Sequence, residues 1–288
     1  MDLNAYFARI GYTGPREATH AVLCDLAARH PHAISFENIA VAAGLVPDIT
    51  VSAIAAKLVD GRRGGYCYEQ NTLLQAVLTE LGFTVRSLGA RVRYQLPADF
   101  VMSRGHMVLQ VDLAEGPFLV DVGFGGLTPT APIPMRRDRA QATSHEAMRF
   151  VPVEDDYRLQ AQFGDTWVDV YQFDLSRQLP ADWEAQNWFT ATRPGGLFAT
   201  NVIATRPVPG GRWSLFNQTL TWRPLGGVAE KHAVVGASAL AAVLRETFAL
   251  TIPASEIDAA AEVASRAGSA SREELLRNGS NAVVREPF

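Results

Sequence analysis

The sequence predicts an α+β chain, with helical and extended segments segregated rather than alternating. Three observations carry this. Apolar residues recur at helical spacing from Leu3 to Leu81, short extended runs bounded by turn residues fill the middle, and helical spacing returns from about Ala233.

In order, Leu3, Tyr6, Phe7 and Ile10 predict a first helix. Arg16 to Arg29 predicts a second, with Ala21, Val22, Leu26 and Ala27 on its apolar side, and a third runs from near Asp48 through Ile54 and Leu58. The fourth, Cys67 to Leu81, buries Leu73, Leu74, Val77, Leu78 and Leu81, and Gly82 stops it. Thr84 to Leu88 and Ala90 to Tyr94 read as extended. His106 to Asp112 and Pro117 to Val122 form a hairpin turned at Ala114-Glu115-Gly116. Further strands are expected at 148–153, 157–162, 167–173, 198–206 and 212–223, a spacing typical of a barrel or sandwich. Val235 to Phe248 and Ser255 to Val263 are helical, and Ser271-Arg272-Glu273-Glu274 reads as the cap of a third short helix.

Of the 288 residues, 48% are hydrophobic and 19% charged, as in ordinary globular proteins, and the formal net charge of −4 gives no basic surface for nucleic acid. No run of residues is apolar and long enough to span a membrane. The opening Met1 to Phe7 lacks the basic and apolar regions of a secretory signal, and two cysteines, Cys24 and Cys67, make no disulfide framework. A cytoplasmic, reducing setting is expected. Metal-binding Cys-x-x-Cys and His-Glu-x-x-His spacings are absent.

Cys67 draws attention because Gly64-Gly65 precede it and a strongly periodic helix follows. The unpaired N–H groups and dipole of a helix start favour a thiolate, the nucleophilic form of cysteine. Cys24, mid-helix with no glycine near, is read as structural. A nucleophilic thiol needs a base, and the base an orienting group. His20, His30 and His32 read as surface or cap residues, and His145 and His232 lie in polar surroundings. His106 instead opens an apolar strand. Asp121 closes the neighbouring one, and the hairpin places the two roughly opposite each other. A carboxylate in such an apolar run calls for a partner.

These residues resemble the arylamine N-acetyltransferase family. Tyr6-Phe7-Ala8-Arg9-Ile10-Gly11-Tyr12 is similar to that family's start, and Ser35-Phe36-Glu37-Asn38-Ile39 to its Phe-Glu-Asn-Leu segment. Arg63-Gly64-Gly65-Tyr66-Cys67-Tyr68-Glu69-Gln70-Asn71 resembles its cysteine motif, while His106 and Val120-Asp121-Val122-Gly123-Phe124-Gly125 resemble the remaining triad positions. The matches are dense over roughly the first 130 residues. Later, only Asn187 to Thr192 and Phe198 are similar to the family's pattern.

The resemblance implies a cysteine-protease-like catalytic core in three parts: a helical bundle over residues 1–84 carrying Cys67, a β-barrel over 85–190 carrying His106 and Asp121, and an interdomain segment with an α/β lid over 191–288. It implies ping-pong transfer from acetyl-CoA, a co-substrate rather than a tightly bound cofactor, through acetyl-Cys67 to arylamines, arylhydrazines or N-arylhydroxylamines. The Cys67 N–H and one further donor would stabilise the oxyanion. Phe36, Phe124 and Phe198 would line the acceptor pocket, Gly123, Gly125 and Gly126 would approach the coenzyme, and a Glu37–Arg63 ion pair would brace the cysteine turn. The assembly is expected to be a monomer or homodimer. A cysteine amidase or hydrolase using the same triad, and a non-catalytic member binding aromatic ligands, are the alternatives.

Overall fold

A computed structural model describes residues 1–97, 100–137 and 139–267. The helix anticipated at Ser271 to Glu274 lies outside them. Helix α1 (Leu3–Ile10) is capped by Asp2, whose carboxylate accepts from the Asn4 and Ala5 N–H groups. Helix α2 (His20–Ala33) starts later than its periodicity suggests, because the Thr19 hydroxyl caps it by accepting from the Val22 N–H. Strand β1 (Phe36–Glu37) and helix α3 (Ile39–Ala42) follow, both too short for a periodic signal. The expected third helix divides into α4 (Val51–Ala55) and a single π-helical turn, Ala56–Asp60. Helix α5 (Cys67–Glu80) begins on the cysteine, and Gly82 follows its end with φ +87°.

A seven-stranded sheet comes next. It contains β2 (Thr84–Val92), β3 (His106–Leu113), β4 (Gly116–Val120), β5 (Ile133–Pro134), β6 (Met148–Val153), β7 (Asp156–Phe163) and β8 (Thr166–Arg177), in the order β5-β4-β3-β2-β8-β7-β6. Bridges from Arg137 to Phe150 and Gln141 to Met148 bring its two edges together, so the sheet is a nearly closed barrel. The two extended runs expected either side of Gly89 are one strand, whose register with β8 shifts between Leu88 and Ala90. Along β3 the side chains alternate. Met107, Leu109 and Val111 join the core against α5, and Val108 joins the barrel interior.

Two elements then depart from the sequence expectation. Helix α6 (Pro180–Thr192) was not anticipated, although Pro180 sits in its first turn and Asp182 accepts from the Leu179 N–H. Residues 198–206 divide between the short helix α7 (Leu197–Thr200) and strand β9 (Ile203–Val208). The run 212–223 is a hairpin, β10 (Gly211–Phe216) and β11 (Thr219–Pro224), followed by β12 (Glu230–Ala233). These strands form a second sheet in the order β1-β9-β10-β11-β12, so Phe36 and Glu37 from the first part of the chain supply its edge. Helices α8 (Ala237–Glu246) and α9 (Ala254–Arg266) cover it through Leu240, Leu244, Ala260 and Ala264, joined by Phe248 from the segment between them. The architecture is α+β. Among the described residues, no helix is long and apolar enough to cross a membrane.

Candidate active site

Cys67 is the first residue of α5 and is buried but for 4% of its surface. Close packing sets its turn. A Cβ on Gly64 would collide with the Ser35 carbonyl oxygen, and one on Gly65 would lie 2.6 Å from Glu69 Oε2. Glu69 reaches back to accept from the Tyr66 N–H at 3.2 Å, and Lys57 on the π-helical turn holds that carboxylate at 2.6 Å. On the other side of the turn, Arg63 donates to Glu37 at 3.2 Å and to Glu256 of α9 at 2.8 Å. The expected Glu37–Arg63 pair is therefore present and buried, and it extends to the C-terminal helices. In the first turn of α5 the Glu69 and Gln70 N–H groups donate to the Tyr66 carbonyl, and the dipole of the helix start favours negative charge at Cys67.

His106 and Asp121 meet across the β3–β4 hairpin. The register pairs Leu109 with Val120, so the two side chains are diagonal rather than directly opposite, with Asp121 one residue beyond its strand. His106 Nε2 donates to Asp121 Oδ2 at 2.7 Å, and both residues are buried. The Cys67 sulfur lies 4.0 Å from the carbonyl oxygen of Gly105, the residue before His106, and acts on the imidazole electrostatically. Burial by itself would lower the His106 pKa, but the Asp121 carboxylate outweighs it and, with Cys67, lifts the imidazole well above its ordinary value. Asp121 moves the other way. Burial would raise it, and His106, Asn71 and the Gly123 N–H together hold it below the usual carboxylate range.

Asn71 is the member of this cluster that sequence reasoning quoted only as part of a motif. Its Nδ2 donates to Asp121 Oδ1 at 3.0 Å and to the Met107 carbonyl at 2.8 Å, and its Oδ1 accepts from the Val122 N–H at 3.1 Å. Its spacing from Cys67, one turn along α5, was the available signal. Tyr171 of β8 also escaped notice. Its ring lies 5.1 Å from that of His106 and 5.3 Å from that of Phe124. His30, read from sequence as a surface or cap residue, is fully buried. It joins Tyr6 Oη at 2.9 Å to Gln70 Oε1 at 2.7 Å, because α2 packs inward on α1 and α5.

A cavity of about 140 Å³ opens on Cys67 and His106, walled by Phe36, Phe124 and Phe198. The same three rings border a second cavity of about 350 Å³ over one face of the five-stranded sheet. The strand register aligns Phe36, Thr205, Ser214, Thr221 and Lys231 in a single row across that face. The three sequence-flagged glycines differ in setting. The space beside Gly123 is taken by Cys67 and Asn71, where a Cβ would lie 2.7 Å from Cys67 Cα. Gly125 (φ +88°) packs against Phe36 and Thr205. Gly126 has open space beside it, and Gly125 and Gly126 both line the larger cavity. Among the described residues no group of three or more His, Cys, Asp or Glu is placed to hold a metal ion.

An oriented imidazole beside a thiol at a helix start, opening on an aromatic-walled cavity, is the arrangement of a thiol acyl-transfer site. Comparison with known proteins narrows the class. A family model described as N-acetyltransferase matches residues 19–257. The chain is 38% identical to the arylamine N-acetyltransferase of Mycobacterium tuberculosis H37Rv over 88% of its own length and 90% of that relative's. It is 37% identical to the Escherichia coli K12 arylamine N-acetyltransferase over 87% and 89% of the two chains. The solved structure of Mycobacterium marinum arylamine N-acetyltransferase in complex with CoA superposes with a TM-score of 0.86 at 38% identity, covering 90% of this chain and 98% of that one. The chain belongs to the arylamine N-acetyltransferase family and is an acetyltransferase.

Proposed function

We propose that the protein carries an acetyl group from acetyl-CoA to the amino group of arylamines, arylhydrazines or N-arylhydroxylamines in two half-reactions through acetyl-Cys67. The observation that carries this reading is the Cys67–His106–Asp121 geometry, with the sulfur and imidazole opening on a cavity walled by Phe36, Phe124 and Phe198.

In the first half-reaction the Cys67 thiolate attacks the thioester carbonyl, and the bond from that carbon to the coenzyme sulfur breaks. The departing coenzyme thiolate takes a proton from the His106 imidazolium, which Asp121 keeps charged. One thioester replaces another, so the step is close to balanced. In the second, the amine nitrogen attacks the acetyl carbon, neutral His106 takes the amine proton, and Cys67 leaves as thiolate. The Cys67 N–H at the start of α5 is suited to the oxyanion. Gly125 and Gly126 let the coenzyme lie close to the backbone in the larger cavity. Arg223 and Lys231, toward its outer strands, suit the coenzyme's phosphates. Because coenzyme leaves before the amine arrives, the inner part of that cavity can serve both in turn. This chemistry suits cytoplasmic processing of xenobiotic amines, where acetyl-CoA is available.

Intact mass spectrometry tests the reading directly. Mixing with acetyl-CoA should add one acetyl group, located at Cys67 by peptide mapping, and an arylamine should clear it as the N-acetyl product. No adduct on Cys67, or clearance by water at the same rate without an amine, would sink it.

A further inference from the structure

Two residues in the wall of the larger cavity each carry a buried polar atom that has no partner among the described residues. Arg212 of β10 is 4% exposed. Its Nε and Nη2 grip Glu146 at 2.7–3.2 Å and Nη2 also donates to the Thr128 carbonyl, yet among the described residues Nη1 has no acceptor. Thr205 of β9 is 6% exposed and its Oγ1 is also unpartnered. The register places Thr205 opposite both Phe36 and Ser214, so Arg212 is its diagonal neighbour on the same face. Both line the 350 Å³ cavity at the end bordered by Phe36 and Gly125, and a Cβ on Gly125 would lie 3.3 Å from Thr205 Oγ1.

A buried polar atom without a partner is destabilising, and in a cavity wall a bound ligand can supply the partner. The charges agree. Among the described residues Arg212, Arg223 and Lys231 line this cavity and no Asp or Glu does, although the chain as a whole is acidic. Arg223 and Lys231 lie on the outer strands, whereas Thr205 lies opposite Phe36, one of the rings that border the Cys67 cavity, with Arg212 diagonal to it. An aromatic amine with its nitrogen at Cys67 and its ring between Phe36, Phe124 and Phe198 would point the substituent opposite the amine toward them.

We infer that Arg212 Nη1 and Thr205 Oγ1 form a specificity site for a carboxylate, or a comparable anionic group, carried by the acceptor opposite its amine. The inference rests on the proposed acetyl transfer. It names the acceptor class that the cavity selects: anionic arylamines over neutral ones.

The experiment compares 4-aminobenzoate with p-toluidine, which carries a methyl group at the same position. Taking the ratio of their kcat/KM values in wild type and variant cancels their different intrinsic reactivity. Thr205→Val should lower that ratio about tenfold, as loss of one hydrogen bond to a charged group requires. Arg212→Lys keeps the charge facing Glu146 but removes Nη1, and should lower it similarly, with the change in the KM for 4-aminobenzoate. An unchanged ratio in both variants overturns the inference. So does a loss confined to the KM for acetyl-CoA, which would give these groups to the coenzyme. Wild-type protein that forms acetyl-Cys67 and turns over p-toluidine, yet shows no such ratio change on mutation, defeats this inference alone. Protein that forms no adduct defeats the transfer reading as well.

Discussion

Two buried polar clusters, one behind the Cys67 cavity and one in the wall of the larger cavity, are wired differently. Around Asp121 the carboxylate and the amide are matched: the carboxylate accepts from His106, Asn71 and the Gly123 N–H, and Asn71 uses both ends of its amide, while the Tyr171 hydroxyl near them has no partner among the described residues. Around Arg212 the network stops short, with one guanidinium nitrogen and the Thr205 hydroxyl unmatched among the described residues. The contrast separates two tasks. A saturated cluster holds an imidazole in one orientation before any substrate arrives, which is what proton transfer needs. An unsaturated one keeps bonding capacity in reserve for a molecule that comes and goes.

The largest expected effect comes from breaking the saturated side. Asp121→Asn keeps the shape but removes the charge that orients and protonates His106, and kcat/KM for acetyl transfer should fall by about a thousandfold or more, as for comparable orienting carboxylates. A loss below tenfold would mean that Asp121 only fills space.

The same pair predicts how stability follows pH. His106 is raised in the folded protein, so its contribution is complete below its ordinary value of 6.5 and fades as pH climbs through the raised value. Asp121 is lowered, so its contribution is present above its ordinary value of 3.8 and fades as pH falls below that. The gap in urea midpoint between wild type and Asp121→Asn should therefore be widest between those two ordinary values and narrow on the alkaline side. A gap that widens steadily toward alkaline pH contradicts the assignment.

Asn71→Leu should act more gently on catalysis, lowering kcat/KM by about tenfold to a hundredfold, since a hydrogen bond to a charged group contributes about 1.5–3 kcal/mol. It should also cost stability, because the Met107 carbonyl and Val122 N–H lose their partner. The smallest effect belongs to the other cluster. Thr205→Val removes a buried hydroxyl with no partner among the described residues, so thermal unfolding should be unchanged or shifted upward, by at most about 1–3 kcal/mol. A large loss of stability there would show that the hydroxyl is structurally engaged after all, and the contrast would collapse.

How far each cluster could be read from the sequence follows from its connectivity. Cys67, His106 and Asp121 announce themselves through neighbours: paired glycines before a periodic helix, and two apolar strands turned at one hairpin. The seven-stranded sheet was visible for the same reason, since most of its strands pair with a neighbour in sequence. The five-stranded sheet begins with Phe36 and Glu37, which pair with Thr205 and Ala204 far along the chain. A two-residue strand has no period to detect, and nothing local to Thr205 or Arg212 signals a cavity. His30 was misread because burial on two other helices is a tertiary fact. Helix α6 was missed because much of its surface is polar and its large Trp188 and Phe189 side chains are exposed.

The row from Phe36 to Lys231 has a further consequence. Each of five strands contributes one residue to it, while the neighbouring positions Ala204, Leu215 and Leu220 belong to the core on the opposite face. Such a wall can be re-cut one rung at a time. A substitution at Thr205, Ser214, Thr221 or Lys231 changes the chamber wall without entering the oily layer behind it or the hairpin that holds the imidazole, whereas Phe36 is tied into the core around Cys67. Divergence toward new amines, by selection or at the bench, thus has four separable dials at hand on a chassis that need not be rebuilt.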